Sequence, residues 1–317
     1  MAKNTTIQTV LGPISTGDLG GCLSHEHLIA SPTGFETDST LEFDYEGEMM
    51  KAVAQMNDLR AAGIASIIDP IPIELGRNVD FMADVSERSG VNVIAATGLY
   101  YETGYLAGFP TYYKAKRVEE LTEIFTKEIT GGIGPRKIKA GIIKCATSAN
   151  QIGQSETKAL TAAAQTALAT GVNITTHTEQ GTMGPEQMDI FEGVGLDPKR
   201  VTIGHCSDSA DIGYLVRILK RGAYIGFDRV GIEHSIDDET KAGVVTALVA
   251  MGYEKQIVLS HDNVSCMHGF RSRPPDPKRS FTYLLEQFVP QLKEAGVSEG
   301  AIQTMLVDNP RRFFEGA

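Results

Sequence analysis

The sequence predicts an α/β fold, a (β/α)8 TIM barrel, on three observations. Short apolar stretches alternate with helical ones eight times along the 317 residues, the pattern of a closed parallel sheet wrapped by helices. Polar residues able to do chemistry fall at the ends of those stretches, where barrel enzymes place their sites. No Gly-x-Gly-x-x-Gly follows the first strand, which disfavours an open dinucleotide-binding sheet. Residues 1–317 read as a single barrel domain with a short N-terminal β-hairpin and C-terminal helices, undivided by linker, repeat or low-complexity run.

Each element follows from local pattern. Two extended pieces around Gly12-Pro13 make the hairpin. Gly20 to Leu28 reads as the first core strand, and the spacing of His25 and His27 puts both imidazoles on one face of it. Met49, Val53, Met56, Leu59 and Ala62 recur at helical spacing until Gly63 stops them. An apolar strand starts at Ile64, a helix lies near 77–90, a strand runs from Val91 to Gly98, and a helix spans about 117–131. The fourth strand runs from Lys139 to Thr147. Helices at about 155–170, 184–194, 209–221 and 238–252 precede strands ending at His177, His205, Asp228 and Asp262. A long helix near 279–295 and shorter helical pieces finish the chain.

Lys144 sits in the middle of the fourth, wholly apolar strand. An ammonium buried there would lose several kcal/mol of hydration, so it must turn to solvent, lose its proton or be chemically altered. The other strand ends decide among these. His25, His27, Lys144, His177, His205 and Asp262 all fall at one end of the expected barrel, and they include four of the seven histidines. Of the others, His234 and His268 fall in or near loops, and His261, next to Asp262, is expected to face away from it. Imidazole nitrogen and carboxylate oxygen suit borderline divalent metals. A two-metal site also wants an anionic bridging oxygen. An ammonium cannot bridge two dications, but reaction of Lys144 with CO2 would make a carbamate that can.

Composition narrows the function further. A net charge of -11 argues against a nucleic-acid footprint. No stretch approaches the ~20 apolar residues of a membrane span, and the polar Met-Ala-Lys-Asn-Thr-Thr start reads as lacking a signal peptide. Cys22, Cys145, Cys206 and Cys266 lie far apart without a C-x-x-C pair, as expected of buried thiols in a reducing cytoplasm. Alternation sends Cys145 and Cys206 into the layer between sheet and helices.

The segments Leu23-Ser-His-Glu-His-Leu28, Gly141-Ile-Ile-Lys-Cys-Ala146, Ile174-Thr-Thr-His177, Ile203-Gly-His-Cys-Ser-Asp208, Gly226-Phe-Asp-Arg229 and Leu259-Ser-His-Asp262 run through nearly the whole chain, up to Asn309-Pro-Arg-Arg-Phe-Phe314. Together they resemble the phosphotriesterase family of the amidohydrolase superfamily, and most of all its lactonases. The resemblance implies two divalent metal ions, Zn2+ first and Co2+, Mn2+ or Fe2+ as options. His25, His27 and Asp262 would hold one and His177 and His205 the other, with carboxylated Lys144 and a hydroxide between them. The hydroxide would attack the substrate, and Asp262 would take its proton and pass it to the leaving group. The implied reaction is hydrolysis of N-acyl homoserine lactones or γ/δ-lactones, as in quorum quenching, with weak phosphotriesterase activity. A homodimer acting on a small molecule is also implied.

Two residues bear on substrate. The resemblance gives Tyr100 a place beside the metal-bound oxygens or the lactone ring; otherwise it lines the barrel mouth. It gives Arg229 a place where dedicated phosphotriesterases carry a His that relays protons with an Asp resembling Asp208; otherwise Arg229 forms an ion pair with Asp208 or Asp228. Met267 and Phe270, in the Pro/Gly-rich stretch after strand eight, are expected to offer an apolar substrate wall, with Arg271 and Arg273 solvated. The rival readings are a dedicated phosphotriesterase and a metal-free barrel that binds without catalysis.

Overall fold

The computed structural model describes residues 5–103, 110–233, 235–270 and 276–316. Eight parallel strands form the barrel: Gly21–Leu23, Ile64–Asp69, Asn92–Gly98, Ile142–Thr147, Ile174–Thr178, Val201–Ile203, Tyr224–Phe227 and Ile257–Leu259. Neighbours pair in sequence order, so each βα unit advances the sheet by one strand. The seam between the last and first strands is closed by Ser24 N donating to Leu259 O at 3.4 Å and Asp262 N to His25 O at 3.0 Å.

The helices match the apolar periodicity. They include Tyr45–Ala61, Val79–Ser89, Val118–Thr130, Gln154–Thr170, Gly184–Val194, Ile212–Leu219 and Asp238–Ala250. The expected long helix near 279–295 is shorter and opens with a π-helical turn, Leu284–Phe288, before Val289–Glu294; a second π turn, Thr304–Asp308, precedes Asn309–Glu315. Each π turn leads into a proline, Pro290 or Pro310, whose missing N–H removes an ordinary helical bond and lets the coil widen.

Strand alternation sorts two cores. Ile143 and Cys145 join the large cluster under the helices, with Cys206, as expected. Ile142 joins the smaller inner cluster with Ile68, Ile94 and Val258. That inner cluster is sealed below by Ile7 of the hairpin (Thr6–Thr9 with Gly12–Ser15, antiparallel) and by Phe313 and Phe314. Lys144 therefore shares the inward face of Ile142, above an apolar plug. Cys22, Cys145, Cys206 and Cys266 are buried free thiols. Among the described residues, no helix is long and apolar enough to cross a membrane.

Gly20 to Leu28 is not one strand: it breaks after Leu23, and Glu26–Ala30 forms a separate parallel pair with Asn263–Met267. The buried Glu26 carboxylate stabilises the break. It accepts from Ser260 Oγ at 2.7 Å, His261 N at 2.8 Å and Asn263 N at 3.0 Å, standing in for strand partners. His261 turns away from Asp262 into this network: Nδ1 lies 2.7 Å from Glu26 and Nε2 accepts from Leu284 N at 2.9 Å.

Candidate active site

His25, His27, Lys144, His177, His205 and Asp262 converge above the inner plug although they come from five separate stretches of chain. Every one of the four imidazoles has one ring nitrogen on a carboxylate. Asp228 receives Nδ1 of His25 and Nδ1 of His205, both at 3.1 Å, one on each oxygen. Asp69 lies 3.0 Å from His27 Nδ1 and is itself fixed by the Leu28 and Ile71 amides. Glu179 lies 2.7 Å from His177 Nε2. A carboxylate accepts, so each of these nitrogens carries the hydrogen, and the opposite nitrogen of His25, His177 and His205 is left with a lone pair, whereas His27 meets a carboxylate on both nitrogens.

The opposite nitrogens of His25, His27 and His205 face Asp262, and His177 Nδ1 faces the Tyr100 hydroxyl. His25 Nε2 and His27 Nε2 lie 3.7 and 3.3 Å from Asp262 Oδ1, and His205 Nε2 lies 3.9 Å from Oδ2. His25, His27 and Asp262 can bring ligand atoms within 4.8 Å of one another. Asp228 groups equally closely with His25 and His205, but through their proton-bearing Nδ1 atoms, so it is a backing group rather than part of the inner face. His205 and Asp262 reach the centre from left-handed backbone, φ 57° and 54°, two and three residues past the last pairing residues of their strands. Such strained conformations cluster at functional sites.

Electrostatics follow from burial and these partners. Burial holds His25 and His205 below the ordinary histidine value and His177 down to about 3, so their lone pairs stay available. For His27 burial acts in the same direction, but Asp262 and Asp69 outweigh it and raise it to about 9. Lys144 Nζ lies 3.2 Å from His25 Nε2 and 3.4 Å from Thr176 O, and burial lowers it to about 8. Burial works against ionised Asp262, yet His205, His27 and Arg229 keep its carboxyl well below the usual range.

The donor set fits divalent cations: three neutral imidazoles and His27, which would release a proton on binding, all fixed by carboxylates, with an ionised carboxylate and a buried amine. Tyr100 also reaches the cluster, its hydroxyl 3.2 Å from His177 Nδ1 and its acidity suppressed by burial. Arg229 donates through Nε to Asp262 Oδ2 at 3.0 Å and through Nη1 to Asp208 Oδ2 at 2.6 Å. The ion pair expected with Asp208 is present, and Asp262 rather than Asp228 is the second partner.

Behind Tyr100, Glu74 Oε1 accepts the Tyr100 amide at 2.7 Å, while Oε2 is buried without a hydrogen-bond partner among the described residues. Burial pushes the Glu74 carboxyl from 4.5 to about 7. A folded state that binds this proton more tightly than the unfolded chain is favoured below pH 4.5 and loses that advantage as pH rises through 7. Glu74→Gln keeps the acceptor for Tyr100 and removes the charge. It is expected to raise Tm above pH 7, by an amount corresponding to roughly 3 kcal/mol, and to leave Tm unchanged in acid. A Tm difference independent of pH across that range would refute the assignment.

Met267 and Phe270 are not brought to the cluster. They line a cleft of about 460 Å3 with Leu41, Phe43, Glu48 and His268, and none of the six converging residues borders it. Arg271 and Arg273 lie outside the described residues. Strand-end counting did not assign roles to Asp69, Asp228 and Glu179. The available signal was that Asp69 closes strand two, Asp228 directly follows strand seven, and Glu179 follows His177 by two.

The sequence profile of the phosphotriesterase family matches residues 5–314. The phosphotriesterase homology protein of Mycobacterium tuberculosis is 35% identical over 98% of this chain and 97% of its own. The phospho-furanose lactonase of Mycoplasmopsis synoviae is 30% identical over 98% of this chain and 92% of its own. The organophosphorus hydrolase from Deinococcus radiodurans superposes with a TM-score of 0.93 at 33% identity, covering 99% of each chain.

Proposed function

The chain belongs to the phosphotriesterase family of metal-dependent hydrolases, and on that footing we propose that it opens lactone rings at a centre of two divalent cations. His25, His27 and Asp262 would hold one cation and His177 and His205 the other. Lys144 would join them after its neutral amine, favoured by burial, adds to CO2 and gives up a proton to become a carbamate. The cations supply Lewis acidity, lowering the pKa of water and polarising the lactone carbonyl.

The protein's own groups handle protons and orientation. Asp262, ionised and held through Oδ2 by Arg229, is the acceptor for the proton of the attacking water and returns it to the leaving alkoxide. Tyr100, kept protonated by burial, remains a hydrogen-bond donor beside His177. Asp69, Asp228 and Glu179 keep the imidazoles in register.

The observation that carries the lactonase reading is the bridge from Arg229 to both Asp262 and Asp208. Guanidinium stays charged at any working pH, so the Asp262–Arg229–Asp208 line orients Asp262 but cannot relay a proton as a histidine would. That favours lactones over phosphotriesters. The deciding experiment measures kcat/KM of metal-replete protein for acyl homoserine lactones of several chain lengths, plain γ- and δ-lactones and an aryl phosphotriester. Lactones are expected to lead by orders of magnitude. A leading phosphotriester would replace this reading with a dedicated phosphotriesterase, the activity for which the Deinococcus radiodurans neighbour is named.

A further inference from the structure

Three of the four clustered histidines are backed by buried aspartates at the ends of barrel strands, Asp69 behind His27 and Asp228 behind His25 and His205. His177 differs twice over. It is held through Nε2 rather than Nδ1, and its carboxylate, Glu179, lies in the turn after strand five with 27% of its side chain exposed. The 2.7 Å contact has the length of a charge-assisted bond. It fixes the hydrogen on Nε2 and leaves the lone pair on Nδ1, on the side of the Tyr100 hydroxyl 3.2 Å away, the opposite tautomer to His25 and His205. The turn is itself constrained: Gln180 has φ 56°, and Thr182 Oγ1 donates to the Glu179 carbonyl at 2.9 Å. Tyr101 stacks on the same imidazole, centroids 4.9 Å apart and planes 18° apart, and limits its rotation.

We propose that Glu179 is a positioning residue that selects the His177 tautomer and so sets how tightly the cation shared by His177 and His205 is held. This rests on the two-cation reading. Asp69 and Asp228 make their bonds out of reach of water; Glu179 makes its bond beside it. The His177 cation is therefore the first to leave the protein, and Glu179 of the surface turn affects its retention without affecting that of the other cation.

The test is chelator competition on metal-loaded wild type, Glu179→Gln and Glu179→Ala, with retained metal counted by elemental analysis and folding followed by thermal melts. Wild type is expected to lose two equivalents in two steps. In Glu179→Ala the easier step moves to roughly 10–100-fold weaker competition, the usual cost of removing such a backing partner, while the harder step stays. Glu179→Gln, whose amide oxygen still accepts from Nε2, falls between them. Superimposable curves for wild type and Glu179→Ala overturn the proposal. So does an equal movement of both steps, which a general loss of structure would give. If Glu179→Ala does not fold, the same comparison is made with Glu179→Gln and Glu179→Asp, and an unmoved easier step in both overturns it. A wild type that holds only one equivalent defeats the two-cation reading itself, a distinct result.

Discussion

Lys144→Ala protein is expected to purify without its full complement of metal and to lose turnover by several orders of magnitude. Lys144 is almost wholly buried, with His25 Nε2 and Thr176 O as its near neighbours. On the two-cation proposal, its removal takes away the amine that would become an anionic bridge on reaction with CO2. Short carboxylic acids added to the variant are expected to restore part of both metal content and rate by supplying two oxygens in the same place. Full activity without them would sink the bridging assignment. The metal-free protein gives an independent reading. Burial lowers this amine from 10.5 to about 8, so the unfolded chain binds the proton more tightly and stability rises with pH through that window. Lys144→Met, which fills the same space without the charge, is therefore expected to stabilise the metal-free form at neutral pH by about 3 kcal/mol. No stabilisation at neutral pH would mean that the buried amine is not strained in this way.

Asp228→Ala is expected to be the most damaging change outside the candidate ligands. One carboxylate receives His25 Nδ1, His205 Nδ1 and the His205 backbone N–H. Its loss leaves three buried donors unpaired, each costing about 1–3 kcal/mol, and frees two imidazoles to rotate or change tautomer. Denaturant unfolding should show a loss of roughly 3–5 kcal/mol, and both cations should bind more weakly, in contrast to the single-step effect expected at Glu179. Near-wild-type stability would show that those histidines find other partners.

The convergence of His25, His27, Lys144, His177, His205 and Asp262 was legible because barrel strands have a two-residue period and their C-terminal ends meet. Lys144 illustrates this most plainly: Ile142 two residues before it marks the inner face, and Cys145 after it the outer. What could not be read is set by contacts far apart in sequence. The break after Leu23 depends on Glu26 finding Ser260, His261 and Asn263, more than 230 residues away. Nothing in a local pattern distinguishes that glutamate from a surface one. His205 and Asp262 read as strand-end residues, but each arrives by a left-handed step, which strand periodicity does not encode. The reversed ring of His177 is likewise a matter of side-chain rotation, invisible in residue spacing.

The barrel seam joins Ser24 to Leu259 and His25 to Asp262, and the floor is sealed by Phe313 and Phe314. A polypeptide emerging from the ribosome presents its first two histidines early but cannot close the ring until its last strand and final aromatic pair are free of the exit tunnel. The inner face that gathers His25 and His27 beside Asp262 therefore exists only once the first and last strands have met over the Phe313–Phe314 floor.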